Sequence, residues 1–146
     1  MNPALRTGRV LAVDLGSKRV GLALSDPRRI IASPLRTLEA EPLATLAERL
    51  GAVIREVEAE EVVVGLPIRM DGAEGPEARS ARTLAESLRK LARVPVRMLD
   101  ERLSSAAAER ALLAQGASRQ RRRELSDQVA ATLILQSFLE AGSHGG

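Results

Sequence analysis

A strand buried on both faces and ending in an acidic residue is the feature that most constrains the fold of this chain. The apolar run at 9–13 (Arg-Val-Leu-Ala-Val) has no alternating polar positions, which is typical of such a strand, and it stops at Asp14. A turn at 15–18 and a second strand at 19–24 follow. The short connection predicts an antiparallel hairpin. A central strand of this kind needs a sheet that is covered on both sides.

The rest of the chain predicts one more antiparallel strand and then alternating helices and strands. Residues 30–38 predict a third strand, which Pro34 restricts to a sheet edge. Pro42 suits the first position of a helix, because apolar residues then recur at helical spacing up to Val57. The remaining predicted elements are a strand at 61–64, a helix at 81–91, a strand at 94–99, a helix from Ser104 or Ser105 to Gly116, and a helix at 121–140. This order predicts an α/β fold, with a mixed five-stranded sheet and helices on both faces.

Length and composition exclude several classes of protein. The 146 residues fit one domain, 1–146, with loose tails expected at 1–7 and 141–146. The chain has no Cys, and its single His, His144, lies in the Gly-rich tail, so disulfides, thiol catalysis and Cys-based zinc sites are excluded. We find no apolar run of membrane-spanning length and no signal peptide. The sequence therefore predicts a cytoplasmic protein without a membrane partner.

The net charge of +3 comes from the second half of the chain. Residues 1–73 are balanced, and the excess matches one cluster at 118–124 (Ser-Arg-Gln-Arg-Arg-Arg-Glu). A solvated helix face is the ordinary explanation of such a run. Its place just before Asp127 favours contact with a phosphate backbone, which Arg binds through two parallel hydrogen bonds. Because Phe138 is the only aromatic residue, base stacking on aromatic side chains is not expected.

Acidic residues stand where two predicted strands end and on the apolar face of the last helix. Asp14 follows the first strand, Asp100 and Glu101 follow the strand at 94–99, and sites in open α/β sheets form at such ends. Asp127 shares a helix face with apolar residues, where an unpaired carboxylate costs several kcal/mol. Three carboxylates in one place need a cation between them, and hard oxygen ligands favour Mg²⁺ or Mn²⁺. A local turn role for Asp14 and a cap or salt bridge for Asp127 are the structural alternatives.

A glycine-framed turn follows the first acidic residue. Gly16 and Gly21 enclose Lys18 and Arg19. Glycine lets a phosphate or a metal approach the backbone closely, and the two basic side chains can then meet a phosphate. Ordinary hairpins also combine these residue types.

Four motifs resemble the YqgF (RuvX) family, in the order expected of it. They are Val13-Asp-Leu-Gly-Ser-Lys-Arg-Val-Gly-Leu-Ala23, Val63-Val-Gly-Leu-Pro67 with Asp71-Gly-Ala-Glu-Gly-Pro76, Asp100-Glu-Arg-Leu-Ser104 and Ser126-Asp-Gln-Val-Ala-Ala131. The resemblance covers nearly the whole chain. These bacterial proteins have an RNase H-like fold and are related to Holliday-junction resolvases.

The resemblance implies a metal-dependent endonuclease that hydrolyses phosphodiester bonds with two Mg²⁺ or Mn²⁺ ions. Asp14, Glu101 and Asp127 are its implied catalytic residues and metal ligands. Asp100 is left open as a further ligand, because neighbouring strand-end residues point opposite ways. The residues that would bind nucleic acid are Gly16, Lys18, Arg19, Arg102, Arg119, Arg121, Arg122 and Arg123.

Three functions are compatible with this resemblance. The first is processing of the 5′ end of pre-16S rRNA during ribosome biogenesis, with structured RNA and ribosomal precursor particles as partners. The second is resolution of four-way DNA junctions in recombination and repair, which a homodimer would favour because paired incisions need two-fold symmetry. The third is a nucleic-acid-binding module without catalysis, against which the intact carboxylate set argues.

Overall fold

The computed structural model describes residues 7–104 and 119–144, and of 119–126 and 143–144 it describes the backbone alone. The strands are β1 (Arg9–Leu15), β2 (Arg19–Ser25), β3 (Ala32–Glu39), β4 (Ala59–Leu66) and β5 (Val96–Asp100). The helices are α1 (Leu46–Glu56), α2 (Pro76–Leu91) and α3 (Arg119–His144), with short 3-10 turns at Leu43–Thr45 and Glu101–Leu103. No helix in these ranges is both long enough and apolar enough to cross a membrane.

The five strands form one mixed sheet in the order β3-β2-β1-β4-β5. β1 pairs antiparallel with β2 and parallel with β4, while β3 and β5 continue the sheet on either side as antiparallel and parallel neighbours. The predicted mixed sheet is therefore confirmed. Pro34 lies in the edge strand β3, where the proline nitrogen has no hydrogen to donate to the sheet.

Side chains of β1 alternate between two apolar layers. Leu11 and Val13 pack with α1 and α2, whereas Val10 and Ala12 pack with α3, and all four are fully buried. This explains the unbroken apolar run, since each face of the central strand is covered by helix. Helices on both faces are as predicted.

Local hydrogen bonds accompany shifts of two predicted strand boundaries. Strand β3 begins at Ala32 rather than residue 30, because Asp26 Oδ1 accepts the amides of Ile30 and Ile31, both at 2.8 Å. Strand β5 begins at Val96 rather than residue 94. Pro95, just before it, has no amide hydrogen, but its carbonyl accepts the Val62 amide at 2.9 Å.

The helix boundaries also differ from the prediction. Pro42 is not the first residue of a helix but precedes the 3-10 turn, so α1 begins at Leu46. The predicted helix from Ser104 or Ser105 to Gly116 lies outside the described residues, apart from Ser104 itself. Residues 141–144, assigned to a loose tail, continue α3 to His144. Gly142 does not end the helix, because adding residues to an already formed helix is more favourable than starting a new one.

A buried ion cluster lies on the α3 face of the sheet, near the amino-terminal ends of the parallel strands. Glu61 is 2% exposed and accepts Arg29 Nη1 at 2.6 Å on one carboxylate oxygen and Arg97 Nε on the other. Arg29 also donates from Nε to the carbonyl of Gly8 at 2.7 Å. Sequence periodicity does not predict this cluster, because Arg29 and Arg97 are distant from Glu61 in the sequence and meet it only in the folded protein.

We expect Glu61→Gln to destabilise the fold by about 2–4 kcal/mol, because it leaves two guanidinium groups next to a neutral amide. Chemical denaturation monitored by circular dichroism measures this loss. Glu86→Gln is the matched control, since the exposed pair of Glu86 with Arg89 contributes at most about 1 kcal/mol. Equal stability losses in the two variants would contradict a structural role for the buried cluster.

Candidate active site

Strand alternation places Asp14 beneath α3. Asp14 has the same parity as Val10 and Ala12, so its side chain belongs to the α3 face, and the residue is only 3% exposed. β1 continues through Leu15, so the carboxylate is held by the strand itself rather than by the turn. This is a rigid position in the centre of the sheet.

Gly21 brings α3 down onto the sheet beside Asp14. It is the direct partner of Asp14 across β1 and β2. A Cβ added to Gly21 would overlap the backbone carbonyl of Asp127 and lie 3.1 Å from the Cβ of Asp127. The helix backbone thus occupies the space that a side chain would need. Asp127, half-buried, is in this way placed next to Asp14.

Gly65 makes the corresponding space on the other side of Asp14. The parallel pairing of β1 with β4 ends with Val13 opposite Val64. The next residues, Asp14 and Gly65, are therefore neighbours across the two strands. A Cβ added there would lie 3.5 Å from Cδ of Glu101 and 2.6 Å from Cδ1 of Ile134. The Glu101 side chain therefore lies over the gap at Gly65, on the α3 face.

The three predicted acidic residues lie close together on the α3 face of the sheet, at the carboxyl ends of the parallel strands. Asp14 lies between Gly21, which is covered by Asp127, and Gly65, which is covered by Glu101. Neighbouring strands are about 4.8 Å apart, so these positions span two strand spacings. Within residues 7–104 and 119–144, no three His, Cys, Asp or Glu side chains form a group already arranged to hold a metal ion.

Asp100 is engaged elsewhere. It pairs across the strands with Leu66, which belongs to the apolar layer of α1 and α2, so it lies on the face opposite Glu101. Its carboxylate accepts the backbone amide of Arg102 at 2.9 Å and Nη2 of Arg102 at 2.7 Å. The hydrogen bond from the Arg102 side chain holds the pKa of Asp100 below its usual value. This geometry favours Glu101 over Asp100 as the acidic residue that faces α3.

The predicted nucleic-acid-binding residues fall into two groups. Lys18 is exposed in the turn that follows β1, and Arg19 is half-buried at the start of β2. Both are close to Asp14 in the sequence, and Arg102 adjoins Glu101. At Gly16 the space for a Cβ is filled by the carbonyl of Arg19, 2.7 Å away, in a turn that the Gly16 amide closes. The four arginines at 119–123 begin α3, and their side chains lie outside the described residues: Arg119, Arg121, Arg122 and Arg123.

Gly65 is the site residue that sequence reasoning missed. The sequence predicts a strand that ends at residue 64, whereas β4 continues through Gly65, which opens the space into which Glu101 and Ile134 pack. The sequence predicts that Gly21 leaves space for a phosphate or a metal, whereas in the structure the α3 backbone at Asp127 fills that space. A glycine inside an otherwise largely apolar strand is the available signal in both cases, because it often marks a close approach.

The sheet order and helix placement define the class of fold as RNase H-like. The chain is similar to solved structures of Thermus thermophilus RuvC. It has a TM-score of 0.60 and 16% identity to the complex with a Holliday junction substrate, over 93% of this chain and 97% of that one. A second RuvC structure gives 0.57 and 19% identity over 92% and 97%. At this level of identity the likeness concerns the fold.

The chain belongs to the RuvX family, whose model, described as Holliday junction resolvase, matches residues 8–141. Two relatives share the name "Putative pre-16S rRNA nuclease". One from Roseiflexus sp. is 43% identical over 92% of this chain and 95% of its own length. One from Rhodobacter capsulatus is 46% identical over 97% and 89%. Family and relatives identify the chain as a nuclease, a hydrolase of phosphodiester bonds.

We predict that Gly21→Ala destabilises the protein by about 3 kcal/mol and abolishes cleavage, because the added methyl displaces the α3 backbone at Asp127. Thermal unfolding and a cleavage assay measure the two effects. Gly142→Ala is the matched control, since nothing lies within 4 Å of its added Cβ and alanine favours a helix. A Gly21→Ala protein with the stability and activity of wild type would rule out this close approach.

Proposed function

We propose that the chain is a divalent-cation-dependent endonuclease whose cations are held by Asp14, Glu101 and Asp127. The observation that carries the proposal is that these residues, from a strand, a 3-10 turn and a helix, come together on the α3 face at the carboxyl ends of the parallel strands. Residues from three separate elements meet there only in the folded protein.

The donor set fits Mg²⁺ or Mn²⁺. It consists of carboxylate oxygens and contains no Cys or His, which suits hard cations. Because the three side chains do not yet form a closed ligand group, the proposal requires them to be drawn together when cations bind. Bound divalent cations supply an activated water and stabilise the leaving oxygen of a phosphodiester.

The protein's own residues position the reacting groups. Asp14 is buried on the central strand and therefore has little freedom to move. Lys18, in the turn after β1, and Arg19, the first residue of β2, would contact the phosphate backbone. Arg102 is oriented by Asp100, and its side chain keeps 37% of its surface exposed, so part of its donor set remains accessible to a phosphate.

We infer that the substrate is structured RNA at the 5′ end of pre-16S rRNA, reached in the cytoplasm on ribosomal precursor particles. The names of the relatives, together with their coverage of nearly the whole chain, support this substrate. The alternative is a four-way DNA junction, cut by a homodimer. The family description and the likeness to RuvC in complex with a junction favour that alternative.

Asp14→Asn, Glu101→Gln and Asp127→Asn should each reduce Mg²⁺- or Mn²⁺-dependent cleavage by more than about 100-fold. This exceeds the loss of about 10–100-fold that is typical of residues around the metal ligands. Single-turnover cleavage assays with each cation measure the rates, and circular dichroism checks the fold.

Asp100→Asn is the informative control for this series. Its carboxylate orients the Arg102 guanidinium and does not face α3, so we expect Asp100→Asn to retain activity within about 10-fold of wild type. Wild-type rates in Asp14→Asn and Asp127→Asn would show that the proposed metal site is wrong. An Asp100→Asn loss as large as theirs would place Asp100 among the ligands.

A side-by-side assay separates the substrates. A pre-rRNA 5′-leader fragment, a DNA four-way junction and simple duplexes are offered to the same preparation. Preferential cleavage of the leader at one position is expected. Preference for the junction with symmetrical paired cuts would favour the resolvase. No cleavage, together with no cation binding by titration calorimetry, would favour a binding module.

A further inference from the structure

The two most exposed large apolar side chains among the described residues flank the candidate site. Met70 is 90% exposed and Leu103 is 71% exposed. Leu103 ends the 3-10 turn that begins with Glu101, and Met70 lies in the loop between β4 and α2. Large apolar side chains are ordinarily buried, so the protein presents considerable exposed apolar surface here.

The loop of Met70 and the turn of Leu103 lie next to each other. A Cβ added to Gly72 would lie 3.9 Å from Nη1 of Arg102, and the carboxylate of Asp71 interacts electrostatically with the same guanidinium. β4 and β5 are parallel neighbours, so both segments leave the sheet at the edge where Asp14 and Glu101 lie. Met70 and Leu103 therefore lie at the same end of the sheet as the carboxylates, on two segments that meet at the Arg102 side chain.

Hydrogen bonds hold both segments in tight turns. The amide of Gly72 donates to the carbonyl of Arg69 at 2.8 Å, and the amide of Ala73 donates to Asp71 at 2.9 Å. Gly72 has a φ of 88°, which favours glycine at this position. Because this backbone is already ordered, Met70 would lose little backbone freedom when a ligand covers it.

The second turn is held in the same way. The amide and the hydroxyl of Ser104 donate to the carbonyl of Glu101 at 3.1 and 3.0 Å. The amide of Arg102 donates to Asp100 at 2.9 Å. Leu103 is thus presented on a constrained backbone, two residues from a proposed cation ligand.

We propose that Met70 and Leu103 form an apolar wedge that enters the substrate at a base step beside the scissile phosphate and unstacks it. The proposal rests on the nuclease function proposed above. It assigns these residues to substrate recognition, and it predicts a substrate that must be opened locally before its backbone reaches the carboxylates.

Composition and charge favour nucleic-acid bases as the occupant of this surface. Phe138 is the only aromatic residue, and it packs against the core under α3, so it is not an exposed stacking surface. Met and Leu are side chains that proteins insert between base steps when they kink nucleic acids. Arg102, beside both residues, supplies the charge that a neighbouring phosphate needs.

The test combines fluorescence and cleavage on the substrate that wild type binds most tightly. 2-Aminopurine is placed in turn at each base step of the bound segment, and fluorescence is recorded with the Asp14→Asn protein. A rise at one step is expected, and its loss is expected when Met70→Ser and Leu103→Ser are added. Ile30→Ser is the matched control, because Ile30 is 60% exposed at the opposite end of the sheet.

Cleavage by otherwise wild-type protein provides the second readout. Met70→Ser/Leu103→Ser should cut the fully paired substrate about 10–100-fold more slowly, as expected when a few kcal/mol of unstacking is no longer offset. A mismatch at the same step should restore the rate to within about 3-fold of wild type. Met70→Leu should retain activity, and Ile30→Ser should behave as wild type on both substrates.

The outcomes separate this proposal from the nuclease function. Wild-type rates and an unchanged fluorescence rise in the double variant would overturn the wedge while cleavage stands. A fluorescence rise that depends on Met70 and Leu103, in a protein that cuts no substrate, would support the wedge and contradict the nuclease. Equal losses on paired and mismatched substrates would also overturn the wedge.

Discussion

The contact of α3 with β2 at Gly21 is the constraint on which the site depends. Apolar burial holds this helix against the sheet, but the absence of a side chain at Gly21 sets how closely it approaches. Asp127 lies at that point of contact, and Asp14 is paired with Gly21 across the strands. The relation between the two carboxylates is therefore a result of packing, and no direct bond between them is needed to maintain it.

The remaining geometry follows from the pleat of the sheet. Because side chains alternate along a strand, Asp14 of β1 and Glu101, just after β5, lie on the face under α3. Asp100 lies on the opposite face. The face under α3 also carries Glu61 at its other end, where Arg29 and Arg97 neutralise it. One apolar layer thus separates a charge cluster that stabilises the fold from the acidic residues of the site.

Much of this could be predicted from the sequence, for physical reasons that differ between elements. The run at 9–13 predicts a strand covered on both faces, because a short unbroken apolar segment that ends at a turn is typical of such a strand. The acidic candidates followed from strand ends and helical spacing. The start of β3 could not be predicted, because it depends on the Asp26 side chain and not on the apolarity of Ile30 and Ile31. Hydrophobic periodicity does not report contacts within tight turns or between neighbouring strands. It therefore could not predict the pairing of Asp100 with Arg102, the packing over Gly65 or the ion cluster at Glu61.

The placement of Asp127 has a consequence for the order in which the protein becomes active. Asp14 belongs to the first strand and Asp127 to the last helix, so the carboxylates meet only after nearly the whole chain has been synthesised and α3 has docked. A nascent chain that has formed its sheet still lacks one wall of the site. If Asp127 holds a cation as proposed, copies that end before it would lack a ligand, and the nuclease would cut nucleic acid only once α3 has docked.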